Sequence, residues 1–206
     1  LPADGAPFTL ACYMVEGKGS KDWANIKRMM YAAPEVYAAL MEKVTMMDME
    51  YLNAQIKAGA QAIQIFDTWG GILSPTDYAT YVLPYTTRLI NGLNRSQTPI
   101  IHFVKGAGTM LQTVQQAGAD VIGLDWHVNL GTARDTLGLQ TAVQGNLDPT
   151  VLYAPKQLIE QQVQRILDEN AGRPGHIFNL GHGILPTVAP DHAIHMVECV
   201  HRLSQR

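Results

Sequence analysis

The chain has 206 residues, of which 47% are apolar or aromatic, and a formal net charge of −3. This balance is that of an ordinary globular protein, and we expect one domain over residues 1–206. The small negative charge, without a basic stripe, speaks against nucleic acid as a partner, and no apolar run reaches the roughly 20 residues of a membrane span. We therefore expect a soluble, cytoplasmic protein in which Cys12 and Cys199 are buried and reduced.

The first quarter of the chain has the pattern of helices. Thr9 is suited to be the N-cap of a short helix that ends near Gly17, and we expect no strand before it because LPADG lacks an apolar run. A long helix should begin at Pro34 and end at Gly59.

Five apolar runs then alternate with helical segments and predict buried strands that begin near residues 62, 99, 121, 141 and 176. Such alternation indicates parallel strands joined by right-handed crossovers. An eight-stranded α/β barrel is favoured over a doubly wound sheet, because every strand ends in polar residues and no Gly-rich dinucleotide motif is present. Five strands are too few to close such a barrel. The last helix, from about Pro190 to Ser204, should turn Ile194, Val197 and Val200 inward.

Polar residues at the strand ends are the candidates for chemistry, because the carboxyl ends of the strands form the active-site face of a parallel barrel. The candidates are Asp67 with Thr68, Lys105, Asp125 with Trp126, and His182 between Gly181 and Gly183. Asp67 is either an acid–base group or a turn aspartate. His182 either helps to bind a carboxylate, with backbone amides turned inward by its glycines, or is a solvated residue of a tight turn. The pattern leaves both alternatives open.

A metal site is not predicted. His192 and His195 lie within one helical turn, but the pattern supplies no third ligand, and a solvated helix face is expected. The segment His102–Val104 has valine where a cysteine would give a His-x-Cys half-site. Neither cysteine has a histidine at a useful spacing, since His201 lies on a different helix face from Cys199.

Several motifs, in this order and at these intervals, carry a family resemblance: GAPFTLACYMVEG, FDTWGGILSP, GLDW, QGNLDP and FNLGHGI. From about Gly5 to the C-terminus the chain resembles the uroporphyrinogen decarboxylase family. The resemblance implies a (β/α)8 TIM barrel, here its C-terminal five or so βα units. It also implies removal of the four acetate carboxyl groups of uroporphyrinogen III, giving coproporphyrinogen III in haem biosynthesis. The resemblance also implies that neither a metal nor an organic cofactor takes part and that the protein is a homodimer.

The same resemblance selects three substrate-binding residues, Tyr13 in YMVEG, Thr68 in FDTW and His182 in NLGHG, and leaves Asp67 with a structural role. The family's arginine-rich loop and its catalytic aspartate belong to an N-terminal section that has no counterpart here, so no catalytic residue is assigned. We expect a C-terminal portion of the enzyme that binds substrate weakly and does not turn it over alone. A separate N-terminal half would complete it.

Two alternatives remain open. One is a zinc-dependent methyltransferase of the same superfamily, which moves methyl groups between thiols and corrinoid proteins; His102–Val104 speaks against it because valine cannot bind zinc. The other is a half-barrel without catalytic activity that acts as an interaction module. Zinc-dependent methyl transfer would support the first alternative, and co-purification with a chain carrying the missing half would speak against both.

Overall fold

The computed structural model of the protein describes residues 3–95 and 97–205. The chain forms two compact units, one comprising residues up to 121 and the other the residues from 122 onward. The single-domain organisation of residues 1–206 stays a prediction. In the described ranges, no helix is both long enough and apolar enough to cross a membrane.

The first unit alternates strands with helices. Its elements are β1 (Ala3–Gly5), α1 (Pro7–Glu16), α2 (Ala24–Ala32), α3 (Pro34–Lys57), β2 (Ile63–Asp67), α4 (Pro75–Tyr81), α5 (Leu83–Asn91), β3 (Ile100–Val104) and α6 (Leu111–Gln115), and β4 (Val121–Gly123) begins at its last residue. Strands β1, β2 and β3 are parallel neighbours, with Asp4 opposite Ile65 and Ile65 opposite His102.

Strand β1 corrects the expectation that no strand precedes the first helix. Ala3–Gly5 pairs with β2, and the N–H of Ala6 continues the ladder by donating to the carbonyl of Phe66 (2.8 Å). Backbone groups make this pairing, so a three-residue strand forms without the apolar run that the sequence pattern requires. Leu1 and Pro2 lie outside the described residues.

Helix α1 begins two residues before the predicted cap. Pro7 occupies the first turn and Ala6 is the N-cap, so the expectation that Thr9 caps this helix was wrong. Proline is suited to the first turn because the N–H that it lacks would have no helical partner there. The predicted end is confirmed: Gly17 adopts the left-handed conformation, and its N–H donates to the carbonyl of Tyr13.

The core of the first unit lies between the strands and their helices. Since strand side chains alternate between faces, Ile63, Ile65 and Ile100 project to one side, where they pack with Leu52 of α3 and Leu89 of α5. All five side chains are buried. Complete burial of such a side chain stabilises the folded state by about 1.5–3 kcal/mol.

The second unit continues the alternation. Its elements after β4 are α7 (Leu130–Leu137), β5 (Ala142–Leu147), α8 (Lys156–Asn170), β6 (His176–Leu180) and α9 (Pro190–Leu203). Strands β5 and β6 are parallel, with Val143 opposite His176. All five predicted strands are confirmed, and their first residues, 63, 100, 121, 142 and 176, lie within one residue of the predicted ones.

In the second unit, a buried arginine binds the backbone just before β5 and β6. The guanidinium of Arg134, on α7, donates to the carbonyls of Thr141, Pro174 and Gly175. These carbonyls lie just before the two strands, so a single side chain fixes where both begin. Both terminal nitrogens of the guanidinium are paired in this way, which offsets part of the cost of burying its charge.

The expectation for the inward face of α9 was wrong for two of its three residues, whereas Val200 is half-buried. Ile194 is 58% exposed and Val197 is 46% exposed, whereas Cys199 is buried. Helical spacing gives the positions that share a face, but several faces of α9 contain apolar residues. The neighbour that a helix packs against decides which face is buried, and here α9 packs against α8 through the face of Cys199.

Candidate functional site

Asp67 ends β2 and is the centre of the site in the first unit. Its carboxylate is fully buried and accepts hydrogen bonds from the hydroxyls of Thr9 (3.0 Å) and Tyr78 (3.3 Å). Burial raises the pKa of Asp67 to about 7, although the two hydrogen bonds act in the opposite direction. Because the carboxylate reaches two buried partners rather than solvent, the geometry favours the structural role over the acid–base role.

Thr9 connects this carboxylate to the residues that follow β2. Its hydroxyl donates to Asp67 and accepts the backbone N–H of Trp69 (3.2 Å). One side chain of α1 therefore holds the Asp67 carboxylate and the Trp69 backbone, on either side of Thr68. Thr68 itself is half-buried.

Tyr13 lies one helical turn after Thr9 in α1, within a cluster of aromatic rings. Its ring makes edge contacts with Trp23 (5.7 Å between centroids) and Trp69 (6.1 Å), and these two tryptophans lie 4.5 Å apart. Tyr13 is nevertheless 44% exposed. The structure thus places Tyr13 against Trp69, the residue next to Thr68, so two of the three predicted binding residues belong to one feature of the first unit.

Two glycines bring the loop after β2 against the loop after β3. A Cβ atom on Gly71 would lie 1.9 Å from the carbonyl oxygen of Lys105, and one on Gly70 would lie 2.8 Å from the side chain of Val104. Atoms this close cannot coexist, so both positions need glycine for the approach of the two segments. The GG of FDTWGGILSP thereby fixes the position of Lys105 relative to the end of β2.

In the second unit, polar contacts organise the end of β4. The buried carboxylate of Asp125 accepts the backbone N–H of His127 (3.1 Å) and lies 3.0 Å from the Nδ1 atom of its ring. That ring stacks on Trp126 (4.7 Å). The side-chain amide of Asn146, on β5, donates to the carbonyls of Asp125 (2.9 Å) and Val128 (2.7 Å). The end of β4 is therefore a rigid structure of carboxylate, imidazole and amide.

His182 follows β6 and is exposed, with its ring perpendicular to that of Trp126 (6.4 Å). A Cβ atom on Gly181 would lie 2.7 Å from the backbone nitrogen of Trp126, so glycine is required there by packing. Gly183 meets nothing within 4 Å. Packing therefore explains why position 181 is glycine, but it does not explain the glycine at position 183.

Sequence reasoning missed His127, Asn146 and the role of Thr9. The spacing of Asp125 and His127 was a usable signal, because an aspartate often binds the backbone N–H two residues later. Asn146 is a buried polar residue in a strand, which must find partners. The carboxylate that Thr9 binds lies 58 residues away along the chain, and no local pattern reveals such a partner.

The zinc alternative requires a second ligand beside His102. The ring is fully buried, and this burial lowers the pKa of His102 to about 4, so it is neutral at physiological pH. Val104, which occupies the cysteine position of a His-x-Cys half-site, supplies no ligand atom.

Known proteins resemble this chain along nearly all its length. A family model, "Uroporphyrinogen decarboxylase (URO-D)", matches residues 3–203. The curated uroporphyrinogen decarboxylases of Geobacter sulfurreducens, Geobacter metallireducens and Trichlorobacter lovleyi are 86%, 85% and 82% identical over 202 residues. These alignments cover 98% of this chain but 59% of each relative, so the chain spans about three fifths of their length.

A solved structure, a methyltransferase from Methanosarcina mazei, matches with a TM-score of 0.84 at 17% sequence identity. The match covers 100% of this chain and 60% of that one. At this identity the likeness shows the fold alone. It confirms the predicted TIM-barrel type of α/β fold, of which this chain forms a part.

Proposed function

Because the chain belongs to the uroporphyrinogen decarboxylase family, we propose that it forms the C-terminal part of an enzyme that converts uroporphyrinogen III to coproporphyrinogen III. The observation that carries the proposal is the 86% identity with a curated decarboxylase across 98% of the chain. An identity this high supports the proposal that the strand ends of this chain face the same substrate.

The reaction requires that the protein orient the substrate and stabilise the charge that develops on the pyrrole ring. Loss of carbon dioxide from an acetate side chain leaves an electron pair on the carbon beside a pyrrole, and a pyrrole protonated on carbon can accept that pair. The substrate is then its own electron sink, and we propose that neither a metal nor an organic cofactor takes part. The protein holds the carboxylates in place and stabilises the transient charge on the ring.

We propose that Tyr13, Thr68 and His182 each contact this substrate. The hydroxyl of Thr68 donates to a substrate carboxylate, and its backbone is held for this task through Thr9 and Asp67. Tyr13 presents an exposed phenol beside Trp69, and His182 an exposed imidazole beside Trp126. Donors to a carboxylate are the expected tools, since hydrogen bonds to charged groups contribute about 1.5–3 kcal/mol each.

The catalytic aspartate and the arginine-rich loop of the family are supplied by an N-terminal section beyond these residues. We propose that this section, in the same chain or as a separate half, covers the apolar side chains that β6 and α9 expose. Ile177, Ile194 and Val197 are the exposed apolar residues there. The completed enzyme is cytoplasmic and homodimeric in this proposal.

The test joins the N-terminal section of the Geobacter sulfurreducens enzyme to this chain and measures coproporphyrinogen formation. Thr68→Val should raise KM by about 10- to 100-fold, because one hydrogen bond to a charged group is lost. Thr80→Val is the matched control: the Thr80 side chain is exposed, and its hydroxyl donates to the carbonyl of Thr76 within its own helix. Equal kinetics for the two variants would contradict the proposed contact of Thr68 with the substrate. A fusion without turnover would contradict the proposed activity.

A further inference from the structure

Three side chains that bind metals in proteins meet between α8 and α9, on helices of the second unit. Glu160 comes from α8, and His195 and Cys199 come from α9. One ligand atom of each residue lies within 4.8 Å of the other two. The closest pair is the Nε2 atom of His195 and the Sγ atom of Cys199, 3.4 Å apart. Sequence reasoning excluded a histidine partner for Cys199, and the structure corrects this: the partner is His195, four residues earlier.

The distance between the His195 nitrogen and the Cys199 sulfur fits tetrahedral coordination of a metal ion. With Zn–N near 2.05 Å and Zn–S near 2.3 Å, a tetrahedral site places nitrogen and sulfur about 3.6 Å apart. The observed 3.4 Å agrees with this separation. Residues four apart lie on the same helix face, so α9 holds the nitrogen and the sulfur together. The carboxylate of Glu160 is within reach of the same point by rotation of its side chain.

A positive charge already occupies this position. The Nη2 atom of Arg202 lies 2.9 Å from the Oε1 atom of Glu160 and 3.7 Å from the Sγ atom of Cys199. The Arg202 side chain is 57% exposed, so it can swing into solvent when a smaller and more highly charged cation arrives. The Nε2 atom of His195 lies 3.1 Å from the carbonyl oxygen of Lys156, and metal binding through this nitrogen replaces that contact.

We propose that Glu160, His195 and Cys199 form a binding site for a thiophilic divalent cation of the Zn²⁺ class, with water as the fourth ligand. On binding, the thiol of Cys199 releases its proton to solvent, and the neutral ring of His195 presents its unprotonated nitrogen. Thiolate, imidazole and carboxylate together form a donor set that suits zinc. The ion links α8 to α9 and fixes the last helix of the chain. This site is independent of the decarboxylation.

The experiment uses Co²⁺ as a spectroscopic probe and Zn²⁺ as its competitor, with the purified chain under reducing conditions. One equivalent of Co²⁺ should produce a thiolate-to-cobalt charge-transfer band, and Zn²⁺ should remove it. Saturating Zn²⁺ should also raise Tm by roughly 5–10 °C, as expected for a ligand at about 100 times its Kd in a chain of this size.

Single substitutions assign the band to these residues. Cys199→Ser should abolish it, and Glu160→Gln and His195→Ala should weaken Co²⁺ binding by about 100-fold or more. The matched controls, Cys12→Ser, Glu198→Gln and His201→Ala, should bind as the unmodified chain does. Circular dichroism verifies that each variant is folded. No band in the unmodified chain, or a band that survives Cys199→Ser, would overturn the proposal.

Arg202→Ala gives a result of opposite sign, which does not depend on loss of structure. Removal of the competing guanidinium should tighten Co²⁺ binding by about two- to fivefold, since one exposed ion pair with Glu160 no longer opposes the metal. If the cluster is only a salt bridge with a nearby thiol, Arg202→Ala will leave the affinity for Co²⁺ unchanged, and the proposal fails.

Discussion

Asp67→Asn removes the ionisable group at the centre of the first unit while preserving its contacts. The asparagine oxygen can accept from Thr9, and its amide can donate to the hydroxyl of Tyr78, which accepts as well as donates. The variant should therefore fold in the same way. In this variant, the free energy of unfolding no longer depends on the ionisation of residue 67.

The size of that dependence follows from the two pKa values. Burial raises the pKa of Asp67 from 3.8 to about 7 in the folded protein, so the folded state holds a proton that the unfolded chain releases. This proton contributes stability that is lost as the pH rises through 7. Between pH 5 and pH 8 the loss amounts to about 2–3 kcal/mol in the free energy of unfolding.

Urea unfolding of both proteins at pH 5 and at pH 8 measures this difference. The free energy of unfolding of the unmodified chain, minus that of Asp67→Asn, should be about 2–3 kcal/mol larger at pH 5 than at pH 8. Contributions of other groups, such as Asp48 and His102, cancel in the subtraction. A difference that does not change with pH would refute the claim that Asp67 is buried and protonated near neutrality.

Two further predictions concern packing and burial. Gly71→Ala should lower the free energy of unfolding by about 1–3 kcal/mol, because its Cβ atom would overlap the Lys105 carbonyl, whereas Gly183→Ala, in open space, should change it by less than about 0.5 kcal/mol. Urea unfolding compares them, and equal effects would contradict the close approach of the two loops. Burial lowers the pKa of His102 to about 4, so its stabilising contribution is lost as the pH falls from 6.5 towards 4. Between pH 8 and pH 5, His102 should cost the unmodified chain about 2 kcal/mol of its free energy of unfolding, and His102→Leu should abolish this loss. The exposed control His201→Leu should retain it. Identical acid dependence in both variants would disprove the burial of His102.

The sequence allowed the strands to be predicted because each one combines a short apolar run with a polar end. Positions 63, 100, 121, 142 and 176 could be placed from local pattern alone. Strand β1 could not, since Ala3–Gly5 is held by backbone pairing with β2, a partner some 60 residues away. The inward face of α9 was missed for a related reason, because its packing against α8 decides which apolar residues are buried.

At the candidate site, residue types could be predicted but their partners could not. Asp67, Thr68 and Tyr13 stand out by position or by family resemblance, and the structure adds Thr9, whose hydroxyl binds the Asp67 carboxylate and the Trp69 backbone. His195 and Cys199 share a helix face in any α-helix, but they form the proposed metal site only together with Glu160 of α8, which lies close to both. Contacts between elements distant in the chain determine the chemistry in each case.

Coproporphyrinogen formation by the purified chain tests the central claim most directly. We expect no turnover by the chain alone, because the catalytic aspartate of the family is proposed to belong to the N-terminal section. Turnover should appear when the N-terminal section of the Geobacter sulfurreducens relative is supplied, either in the same chain or as a separate half. Family-like turnover by the chain alone, or no turnover with the section supplied, would contradict the account.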